Sequence, residues 1–432
     1  MNIIRRDKYV KDLIIRRNNG LIKVITGMRR CGKSVILNSL FYEALLEQGL
    51  KQSNIIRFAF DSAKDLESIG EDYLEISSSN RKVDAKKFIK YVDGLISNGE
   101  PYVLLLDEIQ MLEAFESVLN GLLRNMNLDI YVTGSNSKFL SKDIITEFRG
   151  RGDVLHVLPL SFSEYYSSVG GDKYEAFDNY LLYGGLPFVA TLDTDEQKVN
   201  YLKRLFEETY VKDIIDRNNI KKTVEMENLL DILASAVGSL TNPSRIQNTF
   251  VSKINSKITV DTIIDYINYL QDAYLISEVK RYDVKGRQYI GSPQKYYYED
   301  IGLRNARLSF RQLEENHLME NIIYNELRYR GYSVDVGIVE KRFIDDKMVA
   351  KKALLEVDFI ANLGSQRYYV QSAFEMNSDE KEKQEKESLR KVKDFFKKIV
   401  IVKDNIKVRR DNEGIVTIGM IEFLLNPNSL EL

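Results

Sequence analysis

The chain has 432 residues, 44% hydrophobic and 29% charged, a globular and soluble balance too long for one hydrophobic core, so two to four domains are expected. Its 62 basic and 64 acidic side chains nearly cancel, which neither supports nor excludes nucleic acid, because only a local patch matters. One cysteine precludes an internal disulfide and fits a reducing, cytoplasmic setting; two histidines leave too few ligands for an ordinary zinc site; and neither a signal peptide nor an apolar run of membrane-spanning length is present.

In chain order, the first 160 residues alternate strand and helix patterns. LIKVIT (Leu21 to Thr26) is a short β-branched run ending at a glycine. Ser34 to Gly49 carries apolar residues at helical spacing and closes on glycine. Asn54 to Asp61 reads as a strand, Asp84 to Ile96 as a helix, Tyr102 to Asp107 as a buried strand, Phe115 to Asn125 as a helix and Leu128 to Ser135 as a strand. Strands interleaved with helices predict a mostly parallel sheet covered on both faces.

After Pro159 the pattern becomes helical to about Asn219, interrupted by YGGLP (Tyr183 to Pro187). Short helices follow from Met226, the strongest at Ile258 to Ile276, with Thr259 or Asp261 as its N-cap. Ile276 to Asp283 and Lys295 to Asp300 read as strands joined by a turn-rich VKGRQYIGSPQ, and helices followed by a hairpin suggest a winged helix. From about Arg311 a last unit offers a helix (Leu318 to Gly331), the strands LLEVDFIAN and QRYYVQSAFEM, a highly charged helix (Ser378 to Lys398) and the strand KKIVIVKD. The division expected is 1–160, a helical lid 161–221, a winged-helix unit 222–305 and an α/β unit 306–432.

Gly27 to Ser34, GMRRCGKS, fits G-x-x-x-x-G-K-[S/T] between a strand and a helix. Glycines let the backbone wrap phosphate oxygens, and the loop N–H groups with the helix N-terminus supply positive potential. Gly27, Met28, Arg29, Arg30, Cys31, Gly32, Lys33, Ser34 and Val35 are the expected phosphate-loop residues, with Lys33 on the β- and γ-phosphates and the Ser34 hydroxyl on Mg²⁺. Cys31 reads as a small space-filler within the loop. Asp107 ends a buried strand, where open α/β sheets bind ligands, and would hold Mg²⁺ or its water. Glu108 beside it would deprotonate the attacking water, which moves the expectation from binding to hydrolysis. Thr133 and Ser135, at the end of the next strand, are both candidates to contact the γ-phosphate or that water. Arg149, Arg151 and Arg217 are candidates to neutralise transition-state charge, within the chain or in a neighbouring subunit.

IKVITGMRRCGKSVIL, LLLDEIQ, YVTGSNS, GRGDVLHVLPLSFSEYY, YLLYGGLP, YLQDAYLISEVKRYDVKGR, KYYYEDIGLRNA and LEVDFIA together resemble the prokaryotic AAA-type ATPases with a C-terminal domain of unknown function. The resemblance covers nearly the whole chain. It implies the additional-strand class of P-loop fold, with an extra strand between those bearing Lys33 and Asp107. It also implies ATP as the nucleotide and Glu108 as the residue activating water.

The helix predicted for recognition in the winged unit carries Asp261, Asp265 and Asp272 and no lysine or arginine, a poor surface for a phosphate backbone. Lys280, Arg281, Lys285 and Arg287, interleaved with Tyr282 and Tyr289, could instead touch DNA through the wing; the alternative is a winged helix used for packing within or between subunits. The last unit resembles the restriction-endonuclease-like fold. Its helical acid would be Glu320 or Glu326 and its first strand acid Asp358; Gln371 stands where a second carboxylate is usual and Ala373 where a lysine belongs. A fold without nuclease activity is therefore expected. The partners expected are ATP and DNA or a protein, with no membrane; an oligomer is compatible with an arginine acting in trans.

Overall fold

The computed structural model describes residues 3–79, 81–97, 99–134, 148, 150–344 and 350–432. It divides into two compact units, Met1–Leu158 and Pro159–Leu432.

The first unit is built on five strands: β1 (Ile22–Thr26), β2 (Ile55–Ala59), β3 (Tyr102–Asp107), β4 (Leu128–Thr133) and β5 (Gly152–His156). Every pairing is parallel, in the order β2-β3-β4-β1-β5. The extra strand between those bearing Lys33 and Asp107 is β4, as the resemblance implied. β1, β3 and β4 are buried along their whole length, which is why they read as continuous apolar runs rather than alternating ones. Leu104, Leu106, Ile130 and Val132 share a core with Phe58, Phe60 and Phe88. Each such side chain contributes about 1.5–3 kcal/mol by leaving water.

Sequence boundaries hold within a few residues for β1 to β4 and for the helices Ala85–Leu95 and Phe115–Leu122. Asp84 caps the former, accepting from the N–H groups of Lys86 (2.7 Å) and Lys87 (3.2 Å). The stretch after the phosphate loop is helical over 33–47, but Ile36–Phe41 is wound as a π-helix. β5 was not anticipated, because GDVLH is short and flanked by a glycine and a histidine.

In the second unit, the helices Phe162–Val169, Lys173–Tyr183 and Asp195–Arg204 occupy the segment expected to be helical. Thr223–Ser235, Pro243–Thr249 and Val260–Asp272 then precede a hairpin of β6 (Ile276–Asp283) and β7 (Gln288–Tyr298). Thr259, not Asp261, caps the last of these helices. β7 begins seven residues before Lys295, so most of the stretch expected to be turn is strand.

The hairpin is one side of a larger mixed sheet. It continues through β8 (Ser333–Ile344), β9 (Ala350–Leu363), β10 (Gln366–Ala373), β11 (Lys397–Val402), β12 (Arg409–Arg410) and β13 (Val416–Gly419), in the order β12-β13-β11-β10-β9-β8-β6-β7. The sheet thus runs unbroken across the boundary expected at 305/306. The charged helix expected over Ser378 to Lys398 is two short helices, Asp379–Glu385 and Glu387–Lys391. Lysines and glutamates favour helix throughout that stretch, but Val392 and Leu389 are pulled into the core against β9 and β10, which turns the chain early.

YLLYGGLP and EDIGLRNA form one joint. Asp300 caps the helix Ile301–Arg307, accepting from Leu303 N–H (3.0 Å), and its other oxygen accepts from Gly185 N–H (2.8 Å). A Cβ on Gly302 would lie 2.0 Å from the Tyr183 carbonyl oxygen, so only glycine fits. Asn305 donates to the carbonyls of Leu181 (3.1 Å) and Leu182 (2.9 Å), and the fully buried Arg304 donates to Ala234 O (2.8 Å) and Glu314 (3.0 Å). These motifs specify packing.

Candidate functional site

β1 delivers the chain into the phosphate loop at the C-terminal edge of the parallel sheet. Gly27 turns with φ +142°, and a Cβ there would meet Val157 O at 2.2 Å. Arg30 (φ +64°) and Gly32 (φ +101°) also take left-handed backbone. Arg6, outside the motif, supports the loop: its guanidinium donates to Cys31 O (3.0 Å) and Leu158 O (2.8 Å) and lies over the Tyr9 ring. Cys31 is fully buried. Ser34 and Val35 are exposed, while Met28 is buried.

Lys33 is buried at 6% exposure, and its ammonium donates to the carbonyls of Gly27 and Met28, both at 2.9 Å. Among the described residues no carboxylate pairs with it. A buried ammonium without a counter-ion is costly unless an anion arrives to neutralise it. The loop therefore fits a polyphosphate on the grounds of its own charge.

Asp107 ends β3 at the same edge. Its Oδ1 accepts from the Thr133 hydroxyl, and its Oδ2 accepts from Asn38 Nδ2 at 3.0 Å. Glu108 follows in left-handed backbone (φ +52°), an unusual place for a glutamate and a strain that the neighbours must hold. Its N–H donates to Thr133 Oγ1 (3.2 Å), and its carboxylate accepts from Gln110 Nε2. The fully buried Thr133 hydroxyl is thus committed to tying Asp107 to Glu108. Ser135 and Arg149 lie outside the described residues.

Asn38, Gln110 and Asp61 were not singled out from the sequence. Asn38 stands four residues after Ser34, one helical turn on, the only signal that could have marked it. Asp61 lies two residues beyond Ala59, which pairs with Asp107 in register. Burial first, then the charges of Asp107 and Glu108, hold its carboxyl above the usual range.

The within-chain role considered for Arg151 is overturned. Its carbonyl accepts from Ile22 N–H (2.8 Å), and the register pairs Ile22 with Gly152 and Thr26 with His156. Arg151 therefore sits at the N-terminal edge of the sheet, about 15 Å along the strands from the phosphate loop. Arg217 belongs to the second unit, where it pairs with Asp213 at 2.7 Å.

A second buried cluster lies in the second unit. Lys295 on β7 donates to Glu320 (2.7 Å) and Glu356 (2.6 Å) and lies 4.0 Å from Asp358. The Tyr297 hydroxyl also donates to Glu320. Asp358 accepts from Ser372 N–H (2.8 Å), and Gln371 faces Asp358 and Ser388. Of the two helical acids considered, Glu320 joins Asp358 while Glu326 pairs with Arg330 (2.7 Å). Burial and the charge of Glu320 push the Asp358 carboxyl well above its ordinary value. Burial works the other way on the Lys295 ammonium, yet the three carboxylates hold it above its own. Lys295 escaped notice because it comes from the hairpin, far in sequence from the position at Ala373. Among the described residues no group of three or more acidic, histidine or cysteine side chains is arranged to hold a metal ion. Of the four cations on and around the β6–β7 hairpin, Lys280, Lys285 and Arg287 are exposed and Arg281 is buried, which takes it off the surface.

The AAA domain family model matches residues 19–166, and a domain of unknown function, DUF8612, matches residues 174–314. An uncharacterized protein of Haemophilus influenzae is 32% identical over 429 residues, covering 98% of this chain and 99% of that protein. Uncharacterized protein MJ1544 of Methanocaldococcus jannaschii is 27% identical over 412 residues, covering 91% and 84%. Among solved structures, the Orc1 protein of Aeropyrum pernix in complex with DNA is 12% identical, covering 71% of this chain and 92% of that one, with a TM-score of 0.28. Cdc6p of Pyrobaculum aerophilum is also 12% identical, covering 73% and 96%, with a TM-score of 0.30. The chain belongs to the family of AAA-type P-loop proteins that carry a C-terminal domain of unknown function.

Proposed function

We propose that the protein binds ATP with Mg²⁺ at residues 27–35, hydrolyses it, and uses the cycle to alter how its second unit engages DNA or a protein partner. The observation that carries this reading is the buried Lys33 ammonium, held by two carbonyls and by no carboxylate among the described residues, beside the phosphate-loop backbone. Lys33 and the loop N–H groups would hold the β- and γ-phosphates. Ser34 and Asp107 would hold Mg²⁺, which supplies charge neutralisation on the phosphate oxygens. Glu108 accepts the proton of a water whose oxygen bonds to the γ-phosphorus as the bond to the β–γ bridging oxygen breaks. Thr133 and Asn38 fix the Asp107 carboxylate, and Gln110 steadies that of Glu108. Phosphate release by the purified chain tests this. Lys33→Ala should abolish release; Glu108→Gln should abolish it while ATP still binds. Normal turnover in Glu108→Gln would overturn the role of that carboxylate, and tight ATP binding without release would favour a nucleotide-dependent signalling scaffold.

We further propose that 161–221 acts as a helical lid, and that the winged-helix-like part (222–305) and the endonuclease-like part (306–432), joined through one sheet, form a single body that does not cleave DNA. Lys295 supports the last point, since its ammonium already neutralises the acids that a nuclease would present to metal. Incubation of DNA with Mn²⁺, Mg²⁺ and ATP should leave it intact. Cleavage that disappears in Asp358→Ala would establish the alternative, an ATP-regulated nuclease. The single cysteine, buried in the loop, supports a cytoplasmic setting.

A further inference from the structure

The mixed sheet of the second unit has two different faces. Glu356 and Asp358 reach Lys295 and the helix Glu315–Tyr329, whereas Val357 between them packs on the other side with Val339 and Leu389. A groove of about 880 Å³ includes Val339 of that other side, and the cations along it are Lys285, Arg287, Arg342, Arg367, Lys391 and Lys393. Its carboxylates are two, Glu340 and Asp394. Glu340 pairs with Arg342 (2.6 Å) and Lys352 (3.3 Å), and Asp394 accepts from the Tyr369 hydroxyl (2.5 Å). In a chain of net charge −2 this is a concentrated positive site. The cations come from the β6–β7 turn, β8, β10, the end of the helix Glu387–Lys391 and the segment after it, elements far apart in sequence.

Tyr282 and Phe396 line the same groove, with Tyr289 and Phe395 next to them. The Arg367 guanidinium lies 5.9 Å from the Tyr282 ring and 5.2 Å from the Phe396 ring, held by a bond to Asn362 (2.7 Å). Tyr289 packs edge-on to Tyr282 at 5.3 Å and is 61% exposed. Phe396 is 41% exposed, and Phe395 beside it is fully exposed. Adjacent exposed phenylalanines cost hydration free energy and need a partner to explain them.

We propose that this groove binds single-stranded nucleic acid, the backbone phosphates against the six cations and unpaired bases against the aromatic rings. Phosphate neutralisation supplies affinity, and base stacking on aromatic side chains is the feature that an acidic peptide or a lipid headgroup does not use. A duplex hides its base faces and cannot stack on Phe395 and Phe396. None of Lys295, Glu320, Glu356 and Asp358 lines the groove, so the site does not depend on a nuclease centre. It rests on the nucleic-acid-directed reading above for the class of partner, and it is independent of ATP hydrolysis.

The test is fluorescence anisotropy of the full chain with labelled oligo(dT), oligo(U) and a duplex of equal length across salt concentrations. Co-sedimentation with phosphatidylserine vesicles runs alongside. Either single strand should bind more tightly than the duplex, and the two oligonucleotides separate DNA from RNA as the source. The pair Arg342→Glu and Lys393→Glu should weaken binding about tenfold or more, with the salt slope falling by about 0.7 for each phosphate no longer neutralised. The pair Phe395→Ala and Phe396→Ala should weaken oligonucleotide binding about tenfold without changing the duplex. All four positions are exposed, and a melting curve checks that the fold persists. Lys33→Ala should bind oligonucleotide as the parent does, so failure of the ATPase reading and failure of this one are distinguishable. No oligonucleotide binding, duplex binding indifferent to the aromatic pair, or vesicle binding alone would overturn it.

Discussion

Thr133 shows how one hydroxyl organises a site. It donates to Asp107 and accepts from the Glu108 N–H, so removing it frees the Asp107 carboxylate and the strained backbone together. Thr133→Val keeps the shape and should lower phosphate release about 10- to 100-fold, with ATP binding retained; an unchanged turnover number would show that Asn38 suffices. Asp300 makes a different case. Its carboxyl is fully buried, and desolvation pushes it up to about 6 although four backbone N–H groups oppose the shift. A raised folded-state value means that the proton binds the native form more tightly. The stabilisation is complete below the ordinary value of 3.8 and is lost as pH rises through about 6. Over that window the parent should lose about 3 kcal/mol relative to Asp300→Asn, whose stability carries no such slope. Denaturant melts between pH 4 and 7 measure it; parallel slopes would sink the assignment. Constant losses from the missing cap do not alter the slope.

At the scale of elements, β1 and β4 are joined by a buried ion pair, Lys23 with Asp129, inside two strands that are buried along their whole length. Asp129 also accepts from the Tyr131 hydroxyl (2.9 Å) and Asn18 N–H (3.1 Å), so its charge is well served. Lys23→Ala should cost about 3–5 kcal/mol in denaturant melts, because it strands a buried carboxylate. Lys23→Met combined with Asp129→Asn should cost markedly less; equal losses would show that packing, not charge, governs the position. Neither residue stood out in the sequence, since a lysine within LIKVIT looks like the polar member of a strand. The pairing of β1 with β4 is what makes it internal. By contrast, Asp84, Thr259 and Ser378 cap helices where local chemistry alone placed them, because a cap needs nothing beyond its own first turn.

For the whole molecule, the proposed coupling predicts that single-stranded oligonucleotide changes the ATPase rate, with an effect that fades as salt rises. An unaltered rate at saturating oligonucleotide would separate the two activities. The phosphate loop, the Asp107–Glu108 pair and the strand order were legible in the sequence because each depends on residues a few positions apart or on continuous apolar runs. A glycine-containing loop between strand and helix, and an acid at a buried strand end, are local features. The features that the folded chain alone assembles depend on residues that meet across the sheet. Arg151 fell to the wrong edge because strand direction, not motif proximity, sets which end of β5 it occupies. Lys295 reached Glu320 and Asp358 because β7 joins the same sheet as β9. The six cations and the aromatic faces of the groove were scattered over more than a hundred positions and became a surface only when β6, β8 and β10 came to lie in one sheet.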